Sequence, residues 1–278
     1  MDMSWLESLI FGFISGLTEF LPISAPAHQS MMLRLFGAEN GIGLIQLMIH
    51  IAILLALFTC CSEDFGGLYR EIRLKKMSRR RRKRKSDARK TLDIALVRSA
   101  FFPMAIGFIF YPMASSYQNK LNFMALFMLL NGILLYIPLH MRSGNKDSRA
   151  MSRLDGTLIG FGAALAVLPG ISRIAAASTV ATARGADRQH ALRWALYITV
   201  PAILILMGFD FRDIVVQGAG IHSFGGFIQA IFTAGAAYCG AYAAILVMRF
   251  MAVNAGFSSF SYYCWGAALY AFILFLTI

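Results

Sequence analysis

Two polar, proline-containing segments interrupt an otherwise apolar chain, and they carry most of the side chains that can do chemistry. The first, residues 18–30, contains Glu19, Ser24 and His28. A carboxylate can donate a proton, bind a cation or orient an imidazole, and an imidazole can act as acid, base or nucleophile toward phosphorus. Such groups are costly in hydrocarbon unless they have a function. We therefore predict catalytic roles for Glu19 and His28, against the alternative that both only tie a turn together.

The second segment, residues 169–183, places Ser172 and Arg173 after a Pro-Gly turn that can open a short helix. A guanidinium matches the oxygens of a phosphate bidentately, and a helix N-terminus adds N–H donors and a favourable dipole. This pattern predicts an anion clamp at Arg173. The alternative is a structural ion pair between Arg173 and Glu19, and the two interpretations are compatible because an arriving phosphate can compete for the guanidinium.

Three further polar residues are supporting candidates for the same site. Ser15 and Thr18 precede Glu19, and His50 falls within an apolar stretch. His50 either faces the same cavity or is a core histidine with satisfied hydrogen bonds.

Composition places these residues in a membrane protein. The chain has 278 residues, of which 58% are hydrophobic and 14% charged, with a mean hydropathy of +0.63. These values exclude a soluble globule. Residues 70–90 hold 13 of the 26 Lys and Arg residues, so one segment accounts for nearly all of the net charge of +12. A basic segment beside membrane spans predicts contact with anionic lipids, and we expect no nucleic acid partner.

The apolar blocks predict an all-α polytopic membrane protein with six full transmembrane helices and two re-entrant helix pairs in an inverted-topology repeat. The full spans are predicted at residues 43–60, 93–113, 121–139, 190–208, 224–248 and 255–277. The stretches 4–17 and 155–168 are too short to cross and run into the two polar segments. We expect a single membrane domain, 1–278, with one repeat half at 1–113, including a cytoplasmic basic loop at 65–92, a second half at 121–248, and a C-terminal helix at 255–278.

The distribution of Lys and Arg orients this topology. Positively charged loops stay in the cytoplasm, which places residues 70–90 and the second basic loop, Arg142 to Arg153, inside. Counting spans from there puts residues 31–42 and 210–223 outside. The two polar segments then lie at the depth of the membrane, in a cavity where function is expected.

In these two segments the chain resembles the undecaprenyl-diphosphate phosphatase family, the bacitracin-resistance phosphatases of the bacterial inner membrane. Ser15 to His28 is similar to the family pattern E-G-x-T-E-F-L-P-x-S-S-T-G-H, and Pro169 to Ala177 is similar to P-G-x-S-R-S-G-A-T. The likeness extends over nearly the whole chain. Residue by residue, Glu19, Ser24, His28, Ser172 and Arg173 match the motifs.

Several motif positions differ. Ser15 stands where the family has its first Glu, Ala25 and Pro26 where it has Ser and Thr, and Ile174 where it has Ser. One of two acids and a hydroxyl often proposed as the nucleophile are therefore absent, and Pro26 lacks an N–H.

The resemblance implies a hydrolase that removes the terminal phosphate of a polyprenyl diphosphate and recycles the cell-wall lipid carrier, with its active site open to the outside. In this scheme Arg173 clamps the diphosphate, His28 is nucleophile or base, Glu19 orients His28 or binds Mg²⁺ or Ca²⁺, and Ser24 and Ser172 donate hydrogen bonds to phosphate oxygens. No organic cofactor is expected, and a homodimer is left open. The alternative is a catalytically impaired homologue that binds or translocates polyprenyl phosphate lipids.

Overall fold

The protein is all α-helical across the residues that the computed structural model describes, which are 3–38, 43–76, 92–118, 120–141, 144–148, 150–217 and 223–277. The helices are α1 (Trp5–Phe20), α2 (Ala25–Leu35), α3 (Gly43–Cys60), α4 (Ser62–Lys76), α5 (Leu92–Ile109), α6 (Tyr111–Ser115), α7 (Leu121–Tyr136), α8 (Arg153–Ala164), α9 (Arg173–Ala183), α10 (Arg188–Gln217), α11 (Phe224–Asn254) and α12 (Phe260–Thr277). Short 3₁₀ turns follow α7 at Ile137–His140 and α8 at Leu165–Val167.

The helices confirm an all-α polytopic membrane protein. Four stretches are long and apolar enough to cross a bilayer, Gly43–Cys60, Leu121–His140, Arg188–Val216 and Phe224–Asn254, and Phe260–Leu276 is a shorter apolar helix. Large apolar side chains such as Phe102, Ile109 and Phe250 are exposed on the outer surface. Such a surface is favourable in lipid and unfavourable in water.

The two half-helices α1 and α8 begin and pack in the same way. Each starts with a capping box, Ser4 with Glu7 in α1 and Ser152 with Asp155 in α8. Each then presents two glycines four residues apart, and α1 packs mainly on α11 while α8 packs mainly on α5. A Cβ atom at Gly16 would lie 1.9 Å from the carbonyl oxygen of Ala237. Only glycine permits this approach, which is how small residues bring helices together in lipid.

Several predicted boundaries are corrected by the structure. Helix α1 continues to Phe20, because no helix-breaking residue precedes Pro22, so Thr18 and Glu19 belong to a helix end rather than to the broken segment. The span predicted at 93–113 ends at Ile109 and is followed by the separate short helix α6. The predicted basic loop 65–92 begins as helix α4, and residues 77–91 lie outside the described residues.

The largest correction concerns the fourth predicted span. Helix α10 runs to Gln217 rather than ending at residue 208. Asp210, expected in an external loop, is therefore on a helix, and it is buried. A charge ended the apolar run in the sequence, but a buried partner allows the helix to continue. The division of the chain into repeat halves stays a prediction.

Candidate functional site

The two broken segments meet in the interior and hold each other by hydrogen bonds. Ser24 has a φ of 70°, which turns the chain sharply between α1 and α2. Its Oγ accepts a hydrogen bond from the backbone N–H of Gly170 at 3.1 Å. In the opposite direction, Ser172 Oγ donates to the carbonyl oxygen of Leu21 at 3.3 Å. Unpaired backbone groups are costly at this depth, and these contacts satisfy two of them.

Asn131 in α7 bridges both segments. Its Nδ2 donates to the carbonyl oxygen of Pro22 at 2.8 Å, and its Oδ1 accepts from the backbone N–H of Ser172 at 2.9 Å. The side chain is fully buried. One amide therefore fixes the relative position of the two interruptions. The sequence interpretation did not select this residue, although a lone amide in an apolar helix is a usable signal.

Glu19 and Arg173 form a buried ion pair across the two segments. Arg173 Nη1 donates to Glu19 Oε1 at 2.8 Å, and the side chains are only 7% and 10% exposed for Arg173 and Glu19, respectively. The predicted pair is thus present. Arg173 is the first residue of α9, directly after the N-cap Ser172, whose Oγ accepts from the N–H of Ala175 at 3.3 Å.

The guanidinium of Arg173 keeps donor capacity beyond this pair. Its Nε is buried and has no hydrogen-bond partner among the described residues. The plane lies over the ring of Phe108, with Cζ 5.8 Å from the ring centre, which holds its orientation. Buried N–H groups are almost always satisfied, so an orphaned donor beside a helix N-terminus marks a place for an anion or a water.

Ser15 and Thr18 lie on the same helix as Glu19. Ser15 is fully buried, and its Oγ has no partner among the described residues. Thr18 is also buried, but its Oγ1 donates to the carbonyl oxygen of Ile14 at 2.7 Å. Only Ser15 therefore keeps free hydrogen-bonding capacity.

His28 lies at the start of α2, and both of its ring nitrogens are occupied. Nδ1 is 2.8 Å from the carbonyl oxygen of Ser24, and Nε2 is 2.7 Å from the hydroxyl of Tyr263 in α12. A carbonyl only accepts, so Nδ1 carries the proton and the hydroxyl of Tyr263 donates to Nε2. The two rings are nearly parallel, with centres 5.7 Å apart. His28 thus contacts Tyr263, a residue missed in the sequence, and has no hydrogen bond to Glu19 or Arg173.

A cavity of about 480 Å³ opens beside His28 and Tyr263. Its other walls are mainly apolar, and they include Met31, Met32 and Tyr270.

His50 forms a second buried pair. Its Nδ1 lies 2.5 Å from Asp210 Oδ2, with the side chains 7% and 11% exposed for His50 and Asp210, respectively. On its other side, Nε2 is 3.5 Å from the amide nitrogen of Gln46, one helical turn earlier in α3. This contact agrees with the predicted alternative that His50 is a core histidine with satisfied hydrogen bonds. Its partner is Asp210, which the sequence placed in an external loop.

The described residues do not fit a dedicated cage for a divalent cation. No group of three or more His, Cys, Asp or Glu side chains comes together in the described part of the chain. Glu19, the predicted ligand, is paired with Arg173. Mg²⁺ and Ca²⁺ prefer several oxygen ligands, so this carboxylate alone holds such an ion poorly.

Comparison with known proteins adds a family to this geometry. Residues 8–270 match the family described as bacitracin resistance protein BacA. The chain is 27% identical over 278 residues to the undecaprenyl-diphosphatase of Methanobrevibacter smithii, covering 98% of both chains. It is 26% identical to the undecaprenyl-diphosphatase of Alkaliphilus metalliredigens, over 78% of this chain and 80% of the relative. It is 30% identical to undecaprenyl-diphosphatase 1 of Shouchella clausii, over 73% of this chain and 72% of the relative.

Proposed function

Because the chain belongs to the bacitracin resistance protein BacA family, we propose that it is an undecaprenyl-diphosphatase. It hydrolyses the terminal phosphate of a polyprenyl diphosphate and so regenerates the lipid carrier of cell-wall synthesis. The named relatives support the activity, and the site supports the chemistry. The two interruptions carry a cation, a helix N-terminus, hydroxyls and an imidazole into the interior of the protein, which are the groups that bind the diphosphate of a lipid.

The observation that carries this proposal is the state of Arg173. The side chain is buried and starts α9. One nitrogen is paired with Glu19, while Nε has no partner in the described part of the chain. A guanidinium in a low-dielectric site binds phosphate oxygens through charge-assisted hydrogen bonds. An incoming diphosphate gives Nε an acceptor and competes with Glu19 for Nη1.

The reaction then follows from positioning and charge. A water oxygen forms a bond to the terminal phosphorus while the bond from that phosphorus to the bridging oxygen breaks, and the electron pair leaves with the polyprenyl phosphate. Arg173 stabilises the negative charge on the phosphate oxygens, and most phosphoryl transfer catalysis is of this kind. Ser24 Oγ accepts from Gly170, which leaves its own hydrogen available for a phosphate oxygen.

The contacts of His28 and of Glu19 constrain the predicted roles of His28 and of a cation. His28 attacks phosphorus, or accepts a proton from water, only after the hydroxyl of Tyr263 turns away from Nε2. No step is assigned to Mg²⁺ or Ca²⁺, because the described residues offer no cage. A cation effect, if measured, fits an ion carried by the diphosphate itself.

The location of the protein is proposed from the sequence. We place it in the bacterial inner membrane with residues 70–90 against anionic lipids of the cytoplasmic leaflet and the site open to the external side. Asp64 of α4 pairs with Arg249 of α11, and in this proposed orientation that pair lies at the cytoplasmic end. A homodimer stays a prediction.

A second function is a lipid-phosphate binder or translocator. It is favoured by Ala25 and Pro26, which cannot supply the hydroxyl or the N–H expected at their motif positions, and by the tyrosine that occupies His28 Nε2. The same Arg173 then binds phosphate without cleavage, and the interrupted helices permit alternating access.

Steady-state kinetics of Arg173→Lys test the proposal. Lysine keeps the charge but loses the forked donors, and each charge-assisted hydrogen bond contributes about 1.5–3 kcal/mol. Loss of about 1.5–3 kcal/mol of transition-state stabilisation lowers kcat/KM for phosphate release from the C55 diphosphate by roughly 10- to 150-fold. Arg184→Lys, which alters a half-exposed arginine at the other end of α9, is the matched control. Equal kinetics of both variants would contradict the role of Arg173.

A further inference from the structure

The buried pair of His50 and Asp210 has the arrangement of an oriented base. A carboxylate only accepts hydrogen bonds when ionised, so the proton of the imidazole lies on Nδ1 and points at Asp210 Oδ2, 2.5 Å away. The lone pair on Nε2 then faces the opposite direction. A carboxylate in this position fixes the tautomer and stabilises the imidazolium that forms when Nε2 takes a proton.

An amide whose oxygen is unsatisfied lies beside Nε2. Gln46 Nε2 donates to Gln29 Oε1 at 3.3 Å and makes only a 3.5 Å contact with His50 Nε2, which is at the limit of a hydrogen bond. Gln46 Oε1 is buried and has no partner among the described residues. Two acceptors, His50 Nε2 and Gln46 Oε1, thus lie on one face of α3, and a single water has two protons to give them.

Packed aromatic rings connect the pair with Arg173. The guanidinium stacks on Phe108, whose ring centre is 6.2 Å from that of Tyr111. Tyr111 in turn packs on Phe209, the residue before Asp210, with ring centres 4.8 Å apart. A short aromatic bridge therefore connects the proposed phosphate clamp with the His50 pair.

His28 is less well placed to accept a proton. Its Nε2 already accepts a hydrogen bond from Tyr263, whereas His50 Nε2 makes, among the described residues, only the long contact with Gln46. The chain also has Ala25 rather than a hydroxyl at the motif position after Ser24. Without that hydroxyl, water is the nucleophile, and it needs a base.

Resting on the proposed diphosphatase function, we propose that His50 is the general base of this chain, with Asp210 as its positioning residue and Gln46 as the residue that orients the attacking water. The water gives one proton to His50 Nε2 and a hydrogen bond to Gln46 Oε1. Its oxygen forms the bond to the terminal phosphorus, and the bridging oxygen leaves with the polyprenyl phosphate. The proton on His50 then passes to solvent.

The charges around His50 are few. Asp210 faces it from α10, and Arg212 and Asp213 lie farther along that helix, where they contact each other. Glu19 on α1 is paired with Arg173, and Arg249 on α11 is paired with Asp64 at the inner end. Asp210 is thus the charge in contact with His50 among the described residues.

The test is the steady-state kinetics of phosphate release from C55 diphosphate. His50→Gln is expected to lower kcat by about 10²- to 10⁴-fold, the usual contribution of a general base, with little change in KM. Asp210→Asn keeps the shape but removes the charge that orients the imidazole, so kcat is expected to fall by a smaller factor, again with little change in KM. Gln46→Leu, which leaves the ion pair intact, is expected to lower kcat in the same way.

One control separates a base from a structural pair. Asp155→Asn breaks another buried carboxylate contact, with Arg184, and is expected to change thermal stability without lowering kcat. Wild-type kcat in His50→Gln or in Asp210→Asn, or a loss of kcat/KM that comes from KM alone, would overturn the assignment. Wild-type protein that binds the lipid but releases no phosphate would overturn the proposed function and the base together.

Discussion

Replacing Glu19 by glutamine leaves a permanent cation in the interior without its counter-charge. Arg173 and Glu19 are 7% and 10% exposed and lie 2.8 Å apart, so water does not replace the lost carboxylate. Breaking a buried ion pair by removing one partner costs about 3–5 kcal/mol. Glutamine keeps an acceptor for Nη1, so we expect the lower end, a loss of roughly 3 kcal/mol in the free energy of unfolding.

The assay is reversible unfolding by SDS in mixed micelles, followed by tryptophan fluorescence, with and without pyrophosphate. Ligand at about 100 times its Kd stabilises the folded state by roughly 2.7 kcal/mol. Because the guanidinium no longer has to leave a carboxylate, pyrophosphate is expected to stabilise Glu19→Gln more than wild type. The variant therefore loses stability alone and recovers most of it with the anion.

Glu7→Gln is the matched control, since Glu7 is a partly exposed residue of the same helix that caps its N-terminus. The reasoning is refuted if Glu19→Gln unfolds within about 0.5 kcal/mol of wild type, the range of ordinary surface substitutions. It is equally refuted if pyrophosphate stabilises the variant less than it stabilises wild type.

Three further predictions concern the scaffold. Asn131→Leu leaves one backbone carbonyl and one backbone N–H of the broken segments without a hydrogen-bond partner, and each loss costs about 1–3 kcal/mol. An unfolding free energy in SDS within about 1 kcal/mol of wild type would exclude the bridge. Gly170→Ala is expected to abolish assembly of the site, because φ is 122° and a Cβ would lie 2.7 Å from a neighbouring side chain. Gly235 has open space around it, so Gly235→Ala is expected to keep or raise stability. Thermal unfolding of the two variants measures the difference. Burial raises the pKa of Glu71, outside the membrane spans, from 4.5 to about 7. The folded state thus binds the proton of Glu71 more tightly than the unfolded state does. The contribution of this group to the free energy of unfolding is fully present below about pH 4.5 and is lost as the pH rises through about 7. Glu71→Gln is expected to flatten that decline in a pH series of unfolding curves, and an unchanged slope would contradict it.

Sequence patterns were sufficient for the elements and for the main ion pair. Apolar blocks of about 20 residues can only be helices in lipid, so the class of fold followed from hydropathy alone. Glu19 and Arg173 were predicted because ionised groups at membrane depth need partners. The glycine pairs Gly12 with Gly16 and Gly156 with Gly160 were a further available signal for close helix packing.

Residues that act through distant partners were not predictable in the same way. Tyr263 lies in the last helix and meets His28 only because α12 packs on α7 beside α2. Asp210 was assigned to a loop, since a charge normally ends an apolar span, and the pairing with His50 160 residues away is a tertiary fact. The i, i+4 spacing of Gln46 and His50 on one helix face was the local hint that this face is polar.

The most direct test of the central claim is whether the purified protein cleaves C55 diphosphate. Lipid products and inorganic phosphate would be quantified together after incubation in detergent, for wild type and for Arg173→Ala. Hydrolysis predicts one phosphate and one polyprenyl monophosphate per substrate for wild type, and neither product above background for Arg173→Ala. Stoichiometric binding of intact diphosphate with no phosphate released would contradict the claim and identify the protein as a lipid-phosphate binder.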